Sequence, residues 1–176
     1  MIKIIFEAHS TTTDNEAHLS SGWNDIDLSS LGVRQCEELK ERSLNRKLDV
    51  IFTSDLQRAV KSAVPTANEL HIPIYVDWRL RECDYGSLTQ APKAEVEAQK
   101  KDRINEPFPD GESYQQCMDR MKEFLDWLKA NFDGKTVMII GHRATHYGLE
   151  HFIKGVPLDK VVGEQFVWQP GWEYEL

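Results

Sequence analysis

The chain alternates short apolar runs with longer segments in which apolar residues recur at helical spacing. Each short run is apolar at most positions, which is typical of parallel strands covered on both faces. We predict strands at 2–8, 48–52, 72–76 and 136–140, with further short strands near 165–168 and at the end of the chain. Pro73 indicates that the third strand lies at a sheet edge, because proline donates no backbone hydrogen bond.

Helices are predicted between these strands. The first begins at Ser29 or Ser30, and its inner face is predicted to carry Leu31, Cys36, Leu39 and Leu44. The second follows the 48–52 strand, where Ser54 and Gln57 have the spacing of a capping box.

Residues 82–112 are mostly polar and are flanked by glycine and proline. We predict a helix from about 91 to 104 in this segment, which resembles a functional excursion over a site. Ser113 and Gln116 form another capping box, and the long helix that they begin ends before Gly134. A further helix is predicted after the 136–140 strand.

The 176 residues suit one core, so we predict a single domain over 1–176. Strands that alternate with helices predict an α/β fold, a three-layer α/β/α sandwich around a mostly parallel sheet. The net charge of −8 argues against nucleic acid and anionic membrane surfaces as partners. An anionic small molecule stays possible as a ligand through a local cationic pocket. The sequence leaves the oligomeric state open.

Targeting and redox signals favour a cytoplasmic protein. No apolar run approaches the ~20 residues of a membrane span, and the segment from Met1 to Ile5 lacks the features of a signal peptide. Three cysteines without close spacing, Cys36, Cys83 and Cys117, are expected to be reduced thiols and not a disulfide frame or a zinc site.

Four polar residues follow the ends of successive predicted strands. His9 and His142 each come directly after a buried strand, Arg58 lies in the first turn of a helix after the second strand, and Glu82 follows the third. In such sheets ligands bind outside the carboxyl ends of the strands. Each residue alone is more often a surface or capping residue, but four at one edge predict a shared site.

These positions lie in motifs that resemble those of the histidine phosphatase superfamily, also called the phosphoglycerate mutase-like family. The resemblance covers nearly the whole chain, and its specificity comes from the order of the motifs. They are Ala8-His9-Ser10 with Asn15, Gly22-Trp23-Asn24-Asp25, Thr53-Ser54-Asp55-Leu56-Gln57-Arg58-Ala59, Leu80-Arg81-Glu82-Cys83-Asp84-Tyr85-Gly86, Gly111-Glu112-Ser113 and Val137-Met138-Ile139-Ile140-Gly141-His142.

Three residues depart from the family pattern. Ala8 and Ser10 stand where the family has arginine and glycine around the nucleophilic histidine, and Arg143 stands where glycine commonly follows the second histidine. The first change removes a guanidinium that binds phosphate. We predict that Arg143 takes over part of its work, the alternative being an ion pair of Arg143 with a surface carboxylate such as Glu150.

The resemblance implies a metal-independent phosphatase for a small phosphorylated metabolite, without a cofactor. His9 would accept the phosphoryl group, the carbonyl of Ser10 would orient its ring, and Glu82 would act as general acid and base. The oxygens of the phosphoryl group would be bound by Asn15, Arg58 and His142, with Arg143 as a further substrate-binding residue.

Two other functions stay open. A phosphoglycerate mutase would retain and re-transfer the phosphoryl group, although mutases of this family are usually longer. A catalytically weak phosphate-ligand binder would fit the loss of the motif arginine at Ala8.

Two residue clusters have simpler interpretations than a site. A zinc site would need His142, His146 and His151 to lie close together. His142 lies at the end of a strand, so helical spacing does not bring all three together. The aromatic cluster of Phe166, Trp168, Trp172 and Tyr174 is predicted to be core and edge packing.

Overall fold

A computed structural model describes all residues from 1 to 176. The centre is a five-stranded sheet in the order β3-β2-β4-β1-β5, in which β5 alone is antiparallel to its neighbour. The strands are β1 (Lys3–Ala8), β2 (Val50–Thr53), β3 (Ile74–Val76), β4 (Thr136–Gly141) and β5 (Trp172–Glu175). The predicted mostly parallel sheet is confirmed, and β3 is an edge strand as Pro73 indicates.

Seven helices connect and cover the strands. They are α1 (Thr13–Glu16), α2 (Ser30–Ser43), α3 (Gln57–Leu70), α4 (Lys93–Gln99), α5 (Tyr114–Asn131), α6 (Arg143–Phe152) and α7 (Leu158–Gly163). Short 3-10 turns at Trp78–Leu80 and Gly86–Leu88 lie between β3 and α4. None of the seven helices combines the length with the apolar composition that a membrane span requires.

The apolar residues of each strand point to alternate faces of the sheet and build two separate cores. On one face, Ile5 and Met138 pack with Leu39 of α2 and Ala63 of α3. On the other face, the neighbouring strand positions pack against α5, α6 and the aromatic residues of β5. This arrangement is the predicted three-layer α/β/α sandwich.

A third apolar cluster lies under the 82–112 excursion. It joins Tyr85, Val96 and Phe108 to α5, α6 and α7, with Tyr114 and Tyr147 among its buried residues. The 82–112 segment therefore packs against the domain through its own small apolar core. It lies over the edge of the sheet where β1 and β4 end.

Several local predictions were wrong. Leu31 and Leu44 are 38% and 41% exposed, because their directions on α2 fall outside the arc that faces the sheet. The helix in the excursion is only α4, which ends at Gln99. Residues 165–168 form no strand, so β5 is the only strand after α7.

The two capping boxes had different outcomes. The box of Ser113 and Gln116 begins α5 as predicted. In contrast, α3 begins at Gln57 after Leu56, with no side-chain cap. Ser54 lies two residues before the N-cap position, and its hydroxyl accepts the backbone N–H of Leu56 and contacts His142 Nε2 instead.

Candidate active site

The first and fourth strands bring two histidines together at their carboxyl ends. Ala8 lies opposite Gly141 in the parallel register, so the residue after each strand stands at the same edge of the sheet. The backbone N–H of His9 donates to the carbonyl of Gly141 at 3.0 Å. The ring centroids of His9 and His142 are 5.0 Å apart, so the two imidazoles lie side by side.

The proton of the His9 ring has a defined position. Nδ1 lies 2.8 Å from the carbonyl oxygen of Ser10, and because a carbonyl oxygen only accepts, Nδ1 carries the proton. The other nitrogen, Nε2, keeps its lone pair. Burial and the charge of the nearby Arg58 guanidinium lower the pKa of His9 to about 3. The ring is therefore neutral near pH 7 and has a nitrogen with the lone pair that a nucleophile needs.

His142 is oriented by Ser54, whose Oγ lies 2.7 Å from His142 Nε2. The same Oγ accepts the backbone N–H of Leu56 at 3.3 Å. The hydroxyl proton of Ser54 has no other acceptor in the structure, so it is donated to Nε2, which places the ring proton on Nδ1. Burial and the charge of Arg58 hold the pKa of His142 well below its usual range. His142 is a neutral donor, and its buried Nδ1 has no partner.

The Arg58 guanidinium is buried, with the residue 1% exposed. Its Nη1 and Nη2 donate to the carbonyls of Asn24 and Gly22 at 2.9 and 2.8 Å, while Nε has no partner. Gly22 adopts a φ of +50°, and a Cβ atom there would lie 3.1 Å from the Tyr85 ring. The local turn therefore requires glycine. A buried cation beside a neutral donor is suited to bind an anion.

Asn15 lies on the wall of the same cavity. Its Oδ1 accepts the backbone N–H of Thr12 at 3.0 Å, while Thr12 Oγ1 accepts the backbone N–H of Asn15 at 3.1 Å. This capping box at the start of α1 occupies the amide oxygen of Asn15. The Nδ2 group remains available as a donor.

The Glu82 carboxylate sits at the start of α6 and lines the cavity. Oε1 accepts the backbone N–H groups of Cys83 and Ala144 at 2.8 and 3.1 Å, and Oε2 accepts that of Arg143 at 3.1 Å. The free N–H groups of a helix start favour a carboxylate in this place. The four polar residues predicted from strand ends therefore line one cavity.

Arg143 also lines this cavity. Its Nη1 donates to Glu97 Oε1 of α4, and its guanidinium carbon lies 5.4 Å from the centre of the Phe166 ring. The alternative pairing with Glu150 was wrong, because Glu150 pairs with Lys154 at 2.9 Å. Arg143 is thus held at the cavity wall by one carboxylate and one ring.

The two departures around His9 have different consequences. Ala8 lines the cavity and brings no donor to it. Ser10 turns away: it is buried, its Oγ accepts from the Cys36 thiol at 3.4 Å, and its N–H donates to Ser62 Oγ at 2.9 Å. The serine therefore keeps the carbonyl that orients His9, whereas the alanine removes a guanidinium.

Sequence reasoning missed the residues that hold Glu82 in place. The carbonyl of Glu82 accepts from Trp23 Nε1 at 2.7 Å and from Arg120 Nη2 at 2.9 Å. Arg120 also donates to both carboxylate oxygens of Glu112 at 3.0 Å. Trp23 and Glu112 lie in motifs of the resemblance, but Arg120 gives no signal in the sequence beyond its place on α5.

His146 and His151 lie away from the candidate site. His146 packs between Phe6 and Trp172, with ring centroids at 5.5 and 4.9 Å, and His151 Nδ1 lies 2.8 Å from the carbonyl of Val156. These two rings are not gathered around His142.

Cys83 and Cys117 lie together with Glu112, with donor atoms within 4.8 Å of one another. That proximity was not predicted, because only the fold joins residues so distant in sequence.

The prediction of core and edge packing is right for three of the four aromatic residues. Trp172 and Tyr174 are buried in the core, and partly buried Phe166 packs against it, with its ring centroid 5.7 Å from that of Trp172. Phe166 and Trp168 also line the cavity, and Trp168 is 55% exposed. The segment from 164 to 171 contains no strand that would turn Trp168 towards the core.

Comparisons with known proteins agree with this architecture. The sequence model of the family described as "Histidine phosphatase superfamily (branch 1)" matches residues 4–164. A 2,3-bisphosphoglycerate-dependent phosphoglycerate mutase of Streptococcus agalactiae is 38% identical over 104 residues, which is 56% of this chain and 45% of that protein. The chain thus matches less than half the length of this relative.

Two further matches extend over most of the chain. A phosphoglycerate mutase of the same name from Streptococcus pyogenes is 28% identical over 218 aligned positions, which cover 100% of this chain and 94% of that protein. The structure of a mycobacterial glucosyl-3-phosphoglycerate phosphatase has a TM-score of 0.82 at 23% identity, covering 91% of this chain and 85% of the other.

The family model covers most of the chain, and the α/β sandwich of the chain has two histidines, an arginine and a glutamate around one cavity. This chain belongs to the histidine phosphatase superfamily.

Proposed function

We propose that this protein is a metal-independent phosphatase that hydrolyses a small phosphomonoester through a phosphohistidine on His9. The observation that carries the proposal is the set of side chains around His9 in one cavity. Arg58, Glu82 and His142 line the cavity together with His9, and His9 keeps a free lone pair on Nε2 because its Nδ1 is bonded to the carbonyl of Ser10. A nucleophilic nitrogen beside a guanidinium, a second imidazole and a carboxyl group supports phosphoryl transfer.

In the first step, Nε2 of His9 attacks phosphorus in line with the leaving oxygen. The new N–P bond forms as the P–O bond to the substrate alcohol breaks, and the leaving oxygen takes the bonding electron pair. The hydrogen bond from Nδ1 to Ser10 disperses the positive charge that develops on the ring. Protonated Glu82 gives its proton to the leaving oxygen, so that a neutral alcohol departs.

In the second step, water attacks the phosphorus of the phosphohistidine. Glu82 takes a proton from the water as the new P–O bond forms and the N–P bond breaks, which regenerates neutral His9 and releases inorganic phosphate. Three backbone N–H groups hold the carboxylate of Glu82 in one place, so the same group can serve as acid and then as base.

Negative charge on the phosphoryl oxygens is balanced by donors of the chain. Arg58, His142 and Asn15 donate to these oxygens, and Arg143 supplies a second guanidinium in place of the motif arginine. The guanidinium groups of Arg58 and Arg143 supply the positive charge that stabilises the phosphoryl oxygens. The proposed steps therefore use no metal ion or cofactor.

Two other functions have an observation in their favour. The relatives named phosphoglycerate mutases favour phosphoryl transfer between two positions of a substrate. Ala8 favours a catalytically weak phosphate-ligand binder. Added 2,3-bisphosphoglycerate separates the first from a phosphatase, because only a mutase needs it to begin turnover.

The test combines phosphoenzyme trapping with a panel of phosphomonoesters. The wild-type chain should give an acid-labile phosphoenzyme and release phosphate after exhaustive EDTA treatment. The His9→Ala variant should lose both activities by several orders of magnitude, while a matched variant of an exposed histidine, His18→Ala, should retain them. Phosphoenzyme without phosphate release would favour the mutase, and neither signal would favour the binder. Loss of activity with EDTA, restored by zinc or magnesium, would contradict the metal-free route.

A further inference from the structure

The cavity extends beyond what a phosphoryl group fills. Its volume is about 300 Å³, and it has two distinct ends. Arg58 and His142 are buried at the inner end, beside His9. Trp168 lies at the mouth, since it lines the cavity and is 55% exposed. A leaving group that extends from the inner end to this side of the mouth would meet the tryptophan.

The position of Trp168 is not explained by packing. It belongs to none of the three apolar clusters of the domain, although Trp172, four residues later, is in the core. A large exposed aromatic side chain in a cavity next to a reactive group is a feature of ligand sites.

Two arginines keep the rings of this wall in place. The guanidinium carbon of Arg42 lies 5.9 Å from the centre of the Trp168 ring. Arg42 is itself fixed by a two-point ion pair with buried Glu7, at 2.9 and 3.3 Å. Arg143 lies over Phe166 in the same way, at 5.4 Å. Cation–π contacts of this kind order aromatic side chains that would otherwise be mobile.

The charges around the wall restrict what it binds. Arg42 and Arg143 make a cationic leaving group unfavourable. Both carboxylate oxygens of Glu97 are engaged by Arg143 and by Lys100, so Glu97 offers no free acceptor to a leaving group. A flat, uncharged ring stacks on tryptophan and needs no charged partner there.

We infer that Trp168 and Phe166 form a subsite for an aromatic or heteroaromatic ring in the leaving group of the substrate. This inference rests on the proposed phosphatase function, and it narrows the substrate class to phosphomonoesters of alcohols that carry such a ring. Trp168 is the specificity-determining residue, whereas the reacting atoms belong to the inner end of the cavity.

The experiment compares 2-phenylethyl phosphate with 2-cyclohexylethyl phosphate. The two esters have leaving groups of similar acidity and size and differ in the flatness of the ring. We expect a kcat/KM for the phenyl ester about threefold to tenfold higher, given the strength of aromatic pairing beyond area burial. Trp168→Ala should remove that preference and Trp168→Phe should keep most of it. Trp78→Ala is the control, since Trp78 is 51% exposed and does not line the cavity.

Each outcome decides the inference. A ratio near one in the wild-type chain, an unchanged ratio in Trp168→Ala, or a clear preference for glucose 6-phosphate would overturn it. A chain that hydrolyses no phosphomonoester contradicts the proposed function instead. In that case the subsite is tested by calorimetry, which measures the Kd of 2-phenylethylphosphonate and of 2-cyclohexylethylphosphonate in the same variants. We expect the phenyl compound to bind about threefold to tenfold more tightly to the wild-type chain.

Discussion

Ser54 Oγ and His142 Nε2 are 2.7 Å apart, and this contact determines which nitrogen of His142 carries the proton. Ser54 Oγ also accepts the backbone N–H of Leu56. The hydroxyl proton has no acceptor other than the ring, so it is donated to Nε2 and the ring proton lies on Nδ1. A neutral histidine bound in this way can stabilise a phosphoryl oxygen without being protonated first.

We predict that Ser54→Ala lowers kcat/KM by about tenfold or more, because the ring of His142 is then free to adopt the other tautomer. The change should also cost about 1 kcal/mol in the free energy of unfolding, since Nε2 loses a buried partner. Steady-state kinetics and urea denaturation measure the two effects. Ser43→Ala is the control: this serine is equally buried and bonds the carbonyl of Leu39 at 2.7 Å. Equal kinetic effects in both variants would mean that Ser54 acts only through stability.

Glu82→Gln tests the acid role separately from binding. An amide keeps the size of the side chain and one oxygen that accepts backbone N–H groups, but its nitrogen cannot replace the second accepting oxygen, and it has no acidic proton to give. We predict that an alkyl phosphate is slowed by ~10²–10⁴, the usual contribution of a general acid, and that p-nitrophenyl phosphate is slowed far less. Glu95→Gln, an exposed carboxylate of α4 outside the cavity lining, is the control. Equal slowing of both esters would remove Glu82 from the acid role.

The frame of this site could be predicted from the sequence, because it depends on local patterns. His9 and His142 follow strands whose apolar runs are unmistakable, and parallel strands deliver their ends to one edge. Ser54 was assigned to the wrong role because its spacing to Gln57 fits a helix cap, and no local rule shows that the helix begins only at Gln57 or that the hydroxyl contacts a distant histidine. Trp168 was assigned to the core because hydrophobicity alone does not distinguish a cavity wall from a packed interior.

The residues that support Glu82 were beyond prediction for another reason. Arg120 lies 38 residues after Glu82 along the chain, and it meets that loop only because α5 packs beside it. Contacts between distant segments depend on how the helices are placed, which periodicity does not define. The same is true of Glu97, whose pairing with Arg143 depends on where α4 ends.

The lowered pKa of His9 predicts a pH dependence of stability. The folded-state pKa of about 3 lies below the unfolded value of about 6.5. Between these values the unfolded chain binds more protons, so the free energy of unfolding falls as pH falls from about 6.5 towards 3. The His9→Gln variant should lose less stability over this range than the wild type. Urea denaturation at several pH values measures this, with exposed His18→Gln as the control. Parallel curves for wild type and His9→Gln would contradict it.

Arg120 and Glu112 form a buried ion pair that carries the loop of Glu82. Arg120 also donates to the carbonyls of Arg79 and Arg81 at 2.7 and 2.9 Å. We predict that Arg120→Met costs about 3–5 kcal/mol in the free energy of unfolding, because a partly buried carboxylate loses its partner. Lys122→Met removes an exposed ion pair with Asp126 on the same helix and should cost less than about 1 kcal/mol. Similar losses in the two variants would show that the buried pair has no special weight.

Arg143 and Ala8 carry the last prediction. Both line the cavity, and if the guanidinium of Arg143 does the work of the missing motif arginine, then Arg143→Gly should lower kcat/KM by ~10²–10³, the usual cost of losing a transition-state donor. Arg143→Lys should recover little, since an ammonium cannot bind two phosphoryl oxygens with a planar fork.

The test of replacement is a double-mutant cycle with Ala8→Arg. In the Arg143→Gly background, Ala8→Arg should restore much of the lost kcat/KM, whereas in the wild-type background it should add little. The ion pair with Glu97 holds Arg143 at the cavity wall. This pair must lengthen, or Arg143 must bind Glu97 and the substrate together, when the guanidinium turns to the phosphoryl group. Glu97→Gln should therefore change KM while leaving the rescue by Ala8→Arg intact. Arg143→Gly with nearly wild-type kcat/KM would show that Arg58 is the one guanidinium that the phosphoryl group needs.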